Sequence, residues 1–409
     1  MTPGRRRTRR EYLDEILPLL WPAPARIQVG DTDGSTRYVL LPSARRPKVM
    51  VPRRPRRAAA AVLRNYKSSA TAAQQARLVA MSVAAGLGVT DLLPGRLSID
   101  STHCGPAGTI ESYLSQVLDR ELIVSLYVGA TGRANRKPVL QLLTAQGVTF
   151  AFAKIGLTPL TCDLVAGEGR ALDWLGQQQL TCLRVPPVVH RGEWHGHQVL
   201  VQAALPRAGR GAINPAVLSA AMTEVATVHG TSTMPAKEST YWAQADRRLR
   251  ALPPSAPATA LVALWDALAA TGATPVTFGA WHGDWTPWNM TMTDYRALVW
   301  DWERFDPDVP VGFDALHYRL QTAIVRGRVA ASEAAPRLMA DAAELLRPFG
   351  VPEAAAPLVA ALYLVEIGTR YLADGQAEAG AALGDLKLWL LPTLQAQVRR
   401  IRTAAPETP

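Results

Sequence analysis

Apolar residues recur along this chain at two different spacings, and the spacing changes near Glu121. Before that point, Arg37–Leu41 and Lys48–Val51 are short extended runs around the turn Pro42-Ser-Ala-Arg-Arg-Pro47, which predicts a hairpin. Ala58–Tyr66 and Ala73–Leu87 are rich in Ala and Leu with apolar residues three to four apart, so both predict helices. Gly105-Pro106 breaks the chain, and Ile110–Leu118 predicts another helix.

From Glu121 onward, Leu122–Val128, Pro138–Leu143 and Thr149–Ile155 are β-rich, with Ala145-Gln146-Gly147 turning between the last two. Leu164–Leu175 follows as an amphipathic helix carrying Glu168. Two more strands are expected near Pro187–His190 and Gln198–Ala203, parted by Gly192–Gly196. After Pro206 the pattern is helical except around Trp281–Asp301. Helices are expected over Pro215–Val228, Thr240–Leu252, Ala258–Ala270, Glu333–Leu346, Ala354–Leu372 and Leu383–Ile401. Strands first and helices after predict an α+β protein with two lobes. Three segments are expected: an extension over 1–120, a sheet-rich lobe over 121–205 and a helical lobe over 206–409. No internal repeat is present.

Composition narrows the partners. A hydrophobic fraction of 48% with 19% charged residues fits a chain that buries a sizeable core; only its two ends read as soft. The formal net charge of +10 is local: residues 1–67 hold 16 Lys/Arg against 5 Asp/Glu, and the remainder is near neutral. Arg5-Arg6-Arg7, Arg9-Arg10, Arg45-Arg46, Lys48, Arg53-Arg54 and Arg56-Arg57 carry the excess, which reads as a solvated basic arm. No aromatic interleaving or nucleic-acid-binding signature accompanies it, so nucleic acid is not an expected partner. Cys104, Cys162 and Cys182 lack metal-ligand spacing and fit a reducing cytoplasm. No apolar run approaches the roughly 18 residues of a membrane span, and Leu13–Leu20 is too interrupted for a signal peptide.

Chemistry concentrates in Trp281-His282-Gly283-Asp284-Trp285-Thr286-Pro287-Trp288-Asn289-Met290, which contains His-x-Asp-x-x-x-x-Asn. Asp301 follows after the apolar run Ala297–Trp300, which reads as a strand. A hydroxyl nucleophile needs a carboxylate to orient it and accept its proton, which Asp284 supplies. The loop returns the Asn289 amide oxygen to a divalent cation, and the next strand brings Asp301 to the same cation. His282 is expected to brace the loop. Upstream, Phe152-Ala153-Lys154-Ile155 places a lone Lys in an apolar strand, where a buried ammonium is costly without a partner. Glu168 on the next helix is the candidate partner.

On these residues the chain resembles the aminoglycoside phosphotransferase and choline kinase-like family, a branch of the protein-kinase-like fold, from about Leu122 to the last helix. The resemblance implies a bilobal protein with an antiparallel-sheet nucleotide-binding N-lobe and a mainly helical C-lobe. It implies transfer of the γ-phosphoryl group of ATP, with GTP as the alternative donor, to a small-molecule hydroxyl with Mg2+. Asp284 then takes the base position, Asn289 and Asp301 the Mg2+ positions, Lys154 the phosphate-contacting position and Glu168 that of its partner. Val201–Leu205 falls at the family's interlobe hinge, so the backbone around Val201 and Ala203 is implied for adenine. Val225-Ala-Thr-Val-His-Gly230 is similar to a family helix in which His229 is structural.

The loop Gly129–Lys137 departs from the pattern, with two glycines and three cations instead of a Gly-rich cradle; its side chains are candidates to contact phosphates. The extension before residue 121 is longer than the family's start and is a candidate accessory subdomain. For the acceptor, Trp285, Trp288, Glu303, Asp306, Asp308, Asp314, His317 and Tyr318 are candidates, while Trp302 is expected to pack. The carboxylates among them suit a cationic acceptor such as an aminosugar or amino alcohol, although Asp314 also reads as a helix cap and Asp306-Pro307-Asp308 as a turn. A protein Ser/Thr kinase is the competing enzyme, but Asp301-Trp302-Glu303 replaces Asp-Phe-Gly and no Ala-Pro-Glu follows. A non-catalytic nucleotide-binding regulator is the alternative from another class.

Overall fold

Nine antiparallel strands form one sheet within the first 206 residues in the structure, a computed structural model that describes residues 8–30, 36–65, 72–129, 133–206, 213–376 and 384–404. The strands are β1 (Arg26–Val29), β2 (Thr36–Leu41), β3 (Val49–Pro52), β4 (Arg96–Asp100), β5 (Ile123–Tyr127), β6 (Val139–Leu143), β7 (Thr149–Gly156), β9 (Val188–Trp194) and β10 (His197–Ala203); β8 (Leu183–Arg184) lies outside this sheet. Their order is β1-β4-β2-β3-β5-β6-β7-β10-β9. The expected hairpin is present, with Leu41 opposite Val49. The boundary expected at residue 120 is not: Val49 pairs with Tyr127 and Met50 with Leu126, and one compact unit comprises Met1–Gly176 and Pro186–Pro206.

Period-two alternation explains why these strands read as unbroken apolar runs. Tyr38 and Leu40 face one core while Val39 and Leu41 face another, so the sheet is buried on both sides there. The first core includes α1 (Arg9–Leu20), where a soft arm was expected. Thr8 and Glu11 form a reciprocal capping box at its start, and Leu13, Ile16, Leu17 and Leu20 are buried. Four such side chains stabilise the unit by about 1.5–3 kcal/mol each, which outweighs the repulsion among nearby arginines. Arg5-Arg6-Arg7 lies outside the described residues. The second core takes α2 (Arg56–Asn65) together with α3 (Ala72–Gly86). The remaining helices of this unit are α4 (Ile110–Val117) and α5 (Pro159–Leu175).

The second unit comprises Gln177–Val185 and Arg207–Pro409. Its helices are α6 (Pro215–Thr227), α7 (Thr240–Arg250), α8 (Ala256–Leu268), α9 (Phe313–Gln321), α10 (Ala331–Ala340), α11 (Ala342–Leu346), α12 (Ala356–Ala373) and α13 (Leu390–Ala404). Two small sheets interrupt them. One orders β11 (Ser232–Pro235), β12 (Pro275–Trp281) and β15 (Asp306–Pro310); the other joins the hairpin β13 (Met290–Met292) and β14 (Ala297–Val299) to β8. Asp306-Pro307-Asp308, expected as a turn, is therefore strand. Gly279 lets β12 approach α6: a Cβ there would lie 2.0 Å from the Ala226 carbonyl oxygen.

Helix α12 corrects the expectation about apolar runs. By length and composition it could cross a membrane, yet 78% of it is buried in this unit's core, with Leu358, Leu362 and Val365 fully packed. A helix apolar all round belongs in such a core.

Candidate active site

Each unit holds its own group of candidate residues. In the first, β7 carries Lys154 and α5 carries Glu168. The Lys154 ammonium donates to both Glu168 carboxylate oxygens, at 2.6 and 2.7 Å, with the side chains 6% and 0% exposed. The helix starts five residues earlier than its periodicity predicts, because Thr158 caps it and Pro159 occupies its first turn. Charge compensation at both carboxylate oxygens is what allows a Lys inside this sheet.

Val201 and Ala203 do not present a free backbone edge. Val201 lies between Ala153 and His190 in the sheet, and the Ala203 N–H donates to the Pro187 oxygen at 2.8 Å. The next residue, Ala204, donates to Phe150 at 2.9 Å, so ladder pairing continues through the segment expected to hold adenine. In the basic loop, Ala130, Thr131 and Gly132 lie outside the described residues. Arg136 stacks 3.4 Å over the Tyr12 ring and donates to the Gly129 oxygen, binding the loop to α1 and not pointing to a phosphate.

In the second unit the loop between β12 and β13 carries the candidate residues His282, Asp284 and Asn289. Gly283 makes its turn with φ 85°, and a Cβ there would meet the Arg304 oxygen at 2.2 Å. His282 is fully buried; its Nδ1 accepts from the Asp284 N–H at 3.1 Å, so Nε2 carries the proton donated to the Trp300 oxygen, also 3.1 Å away. Burial lowers its pKa to about 4, and nearby Asp284 opposes that shift. His282 thus ties the loop to the strand before Asp301 and does not face a reactant.

The Asp284 side chain is 33% exposed. Its Oδ1 is 3.0 Å from His317 Nε2, and its Oδ2 accepts from Asn289 Nδ2 at 2.9 Å. The same Asn289 nitrogen donates to the Asp284 backbone oxygen at 3.0 Å, which fixes the amide orientation and turns its oxygen the other way. Burial alone would raise the Asp284 pKa, but the hydrogen bond from His317 prevails and the net shift is downward. Met290 pairs with Val299, and the Trp300 N–H donates to the Asn289 backbone carbonyl oxygen at 3.0 Å, so Asn289 and Asp301 emerge at one end of a hairpin. Asp301 adopts φ 75°, a conformation uncommon outside glycine that re-aims its side chain as the strand ends. Asp301 and Glu303 offer carboxylate oxygens within 4.8 Å of each other.

Several acceptor candidates have other duties. Trp285 is fully buried and donates to Met290 sulfur, so it is a packing residue; Trp302 is fully buried too. Asp314 is neither a cap nor a substrate contact. It is 3% exposed and accepts from the backbone N–H groups of His282 at 2.7 Å and Gly283 at 3.2 Å, with burial raising its pKa to about 7. Asp308 accepts from Thr240 and from no amine, and Asp306 accepts from the Asp308 N–H. Trp288 and Tyr318 remain half-buried, as does Glu303, whereas His229 is exposed beyond the end of α6.

Two contributors escaped the sequence reading. Arg370 on α12 donates to the Gly283 oxygen at 2.6 Å, and Tyr363 on the same helix lies 3.1 Å from His317 Nδ1. A lone cation in a largely apolar element, the signal that marked Lys154, was available for Arg370.

The family model described as the phosphotransferase enzyme family matches residues 151–314. Among curated proteins, none matches the sequence. Similar solved structures include an aminoglycoside phosphotransferase, APH(4)-Ia, at 14% identity and TM-score 0.46, covering 71% of this chain and 97% of that one. Amicoumacin kinase hAmiN, in complex with AMP-PNP, Ca2+ and Ami, is 14% identical with TM-score 0.40, covering 70% and 90%. The aminoglycoside phosphotransferase APH(3'')-Id of Streptomyces rimosus, in complex with ADP and streptomycin, is 14% identical with TM-score 0.37, covering 57% and 90%. From the strand of Lys154 to the buried carboxylate of Asp314, this chain is similar to the phosphotransferase enzyme family.

Proposed function

We propose that this protein transfers the γ-phosphoryl group of ATP to a hydroxyl of a small molecule. The observation that carries the reading is the Asp284 carboxylate, held by His317 and Asn289 on its two oxygens and still a third exposed. A carboxylate with one fixed plane and remaining lone pairs orients a hydroxyl and accepts its proton. In the other unit, the Lys154 ammonium, fixed by Glu168, supplies positive charge for donor phosphates.

Asn289 and Asp301 would hold Mg2+, and their donor set fits: an amide oxygen turned away from Asp284 and a carboxylate, both hard oxygen ligands. Bound there, Mg2+ would neutralise charge on the transferring group. The chain's own contribution is orientation. Asp314 and Arg370 fix the loop backbone through His282, Gly283 and the Gly283 carbonyl. The three described cysteines are all unpaired, which agrees with a cytoplasmic site of action.

The acceptor is read as a sugar, aminosugar or amino alcohol, with Trp288 and Glu303 as its candidate contacts. The test is a screen of aminoglycosides, sugars, amino alcohols and nucleosides with Mg-ATP and Mg-GTP. Turnover is expected with one class, and Asp284→Ala should reduce it on the order of 10²–10⁴-fold with its thermal transition retained. Undiminished turnover in folded Asp284→Ala would remove Asp284 as the base.

A further inference from the structure

Helix α9 places Asp314 and His317 three residues apart, on one face. Asp314 holds the catalytic loop by its backbone, while His317 reaches the side chain of Asp284. One helical turn therefore grips both the main chain and the carboxylate of the same loop.

We propose that His317, locked in one tautomer by Tyr363, is a positioning residue that sets the plane of the Asp284 carboxylate for the acceptor hydroxyl. The inference rests on Asp284 being the base.

His317 is 1% exposed and Tyr363 is fully buried, so neither can exchange its partner for water without opening the core. His317 Nδ1 lies 3.1 Å from the Tyr363 hydroxyl, and Nε2 lies 3.0 Å from Asp284 Oδ1. A carboxylate only accepts, so the ring must present Nε2–H to it, and Nδ1 is then an acceptor that the tyrosine O–H satisfies. The arrangement runs in one direction: Tyr363 O–H to Nδ1, then Nε2–H to Oδ1. Burial pushes the Tyr363 pKa well above its usual range, so the hydroxyl keeps its proton. Burial also lowers the His317 pKa against the opposing pull of Asp284, and the Arg370 cation acts in the same lowering direction. Asp284, Arg370, Tyr363 and His282 are the charged or titratable groups around the imidazole, and Asp314 lies one turn back on its own helix.

A tyrosine behind a buried histidine is more than filling. Without it the imidazole could carry its proton on Nδ1 and offer Asp284 a lone pair, turning attraction into repulsion. With it, Oδ1 is held by His317 and Oδ2 by Asn289, so the carboxylate cannot rotate. A rotation would misplace the base relative to the hydroxyl, and misplacement by about 1 Å costs on the order of 10²-fold in rate.

The test uses the full chain and two readouts. In ¹⁵N-histidine spectra, with His317 assigned by difference from His317→Gln, the Nε2–H tautomer is expected, and Tyr363→Phe should mix in the Nδ1–H form. A pure Nδ1–H tautomer in the unaltered protein overturns the inference, whatever its activity. In kinetics with Mg-ATP and the acceptor found by screening, His317→Phe should lower kcat at least about 10-fold with KM for Mg-ATP unchanged, while His317→Gln, which keeps a donor, recovers most of it. Equal losses in both variants, or an unchanged kcat in His317→Phe, also overturn it. If Asp284→Ala retains turnover, the base assignment fails instead, and the spectra still report the tautomer independently.

Discussion

The two units solve the problem of a buried functional charge in different ways. In the sheet unit, Lys154 donates to both carboxylate oxygens of Glu168. In the helical unit, Asp284 is held mainly by donors without formal charge, an imidazole and an amide, while Asp314 and Arg370 act on the backbone beneath it. The first arrangement immobilises an ammonium through a directly paired opposite charge. The second distributes the restraint, which leaves the carboxylate a third exposed and still able to meet a hydroxyl.

The largest expected effect follows from that buried pairing. Lys154→Met leaves the Glu168 carboxylate buried without its cation and should destabilise the sheet unit by about 3–5 kcal/mol. Chemical denaturation followed by a tryptophan signal would measure it, and a change below 1 kcal/mol would show that the pair is not the main restraint. Lys154→Met with Glu168→Leu should recover much of the stability and none of the nucleotide binding.

A pH experiment separates the units next. His282 has a folded pKa near 4 against an ordinary 6.5, so between those values the unfolded chain binds the proton and the folded chain does not. The His282 contribution to stability is therefore fully present above pH 6.5 and is lost as pH drops towards 4, by roughly 3 kcal/mol, while Asp314, raised to about 7, contributes in the opposite direction over the same window. His282→Asn should remove the His282 contribution, so that the variant gains stability relative to the parent as pH falls through this window; an identical pH profile in both would show that His282 does not contribute to acid unfolding.

The smallest effect should come from the distributed restraint. Asp314→Asn removes one of two acceptors for the backbone N–H groups of His282 and Gly283 and sets an amide N–H against one of them. The cost should be about 1.5–3 kcal/mol, with faster hydrogen exchange confined to the loop. Global unfolding at neutral pH would mean that this carboxylate carries the core and not the loop alone.

Much of this was legible in local sequence. The spacing of His282, Asp284 and Asn289, followed by a strand and Asp301, located the loop because such contacts span few residues. Lys154 stood out as a cation inside an apolar strand, and its pairing with Glu168 followed from what burial demands. Other readings failed where local chemistry had two outlets. Asp314 at a helix start reads equally well as a cap, and a fully buried Trp285 looks like an aromatic platform until packing is known. Val201 and Ala203 were placed correctly in a strand, yet the identity of their backbone partners depends on which strands flank them.

By itself, then, the sequence determined the α+β order, the loop chemistry and the Lys154 requirement, all set by neighbours along the chain. Tertiary structure decided what distance along the chain conceals. It joined β3 to β5, making the first 120 residues part of one sheet, and it buried α1 beneath that sheet despite the surrounding arginines. It also brought His317, Tyr363 and Arg370 to the loop from 33, 79 and 87 residues beyond Asp284, Asp284 and Gly283 respectively. A chain pattern records which residues must be buried; only the packed core determines which buried polar group meets which.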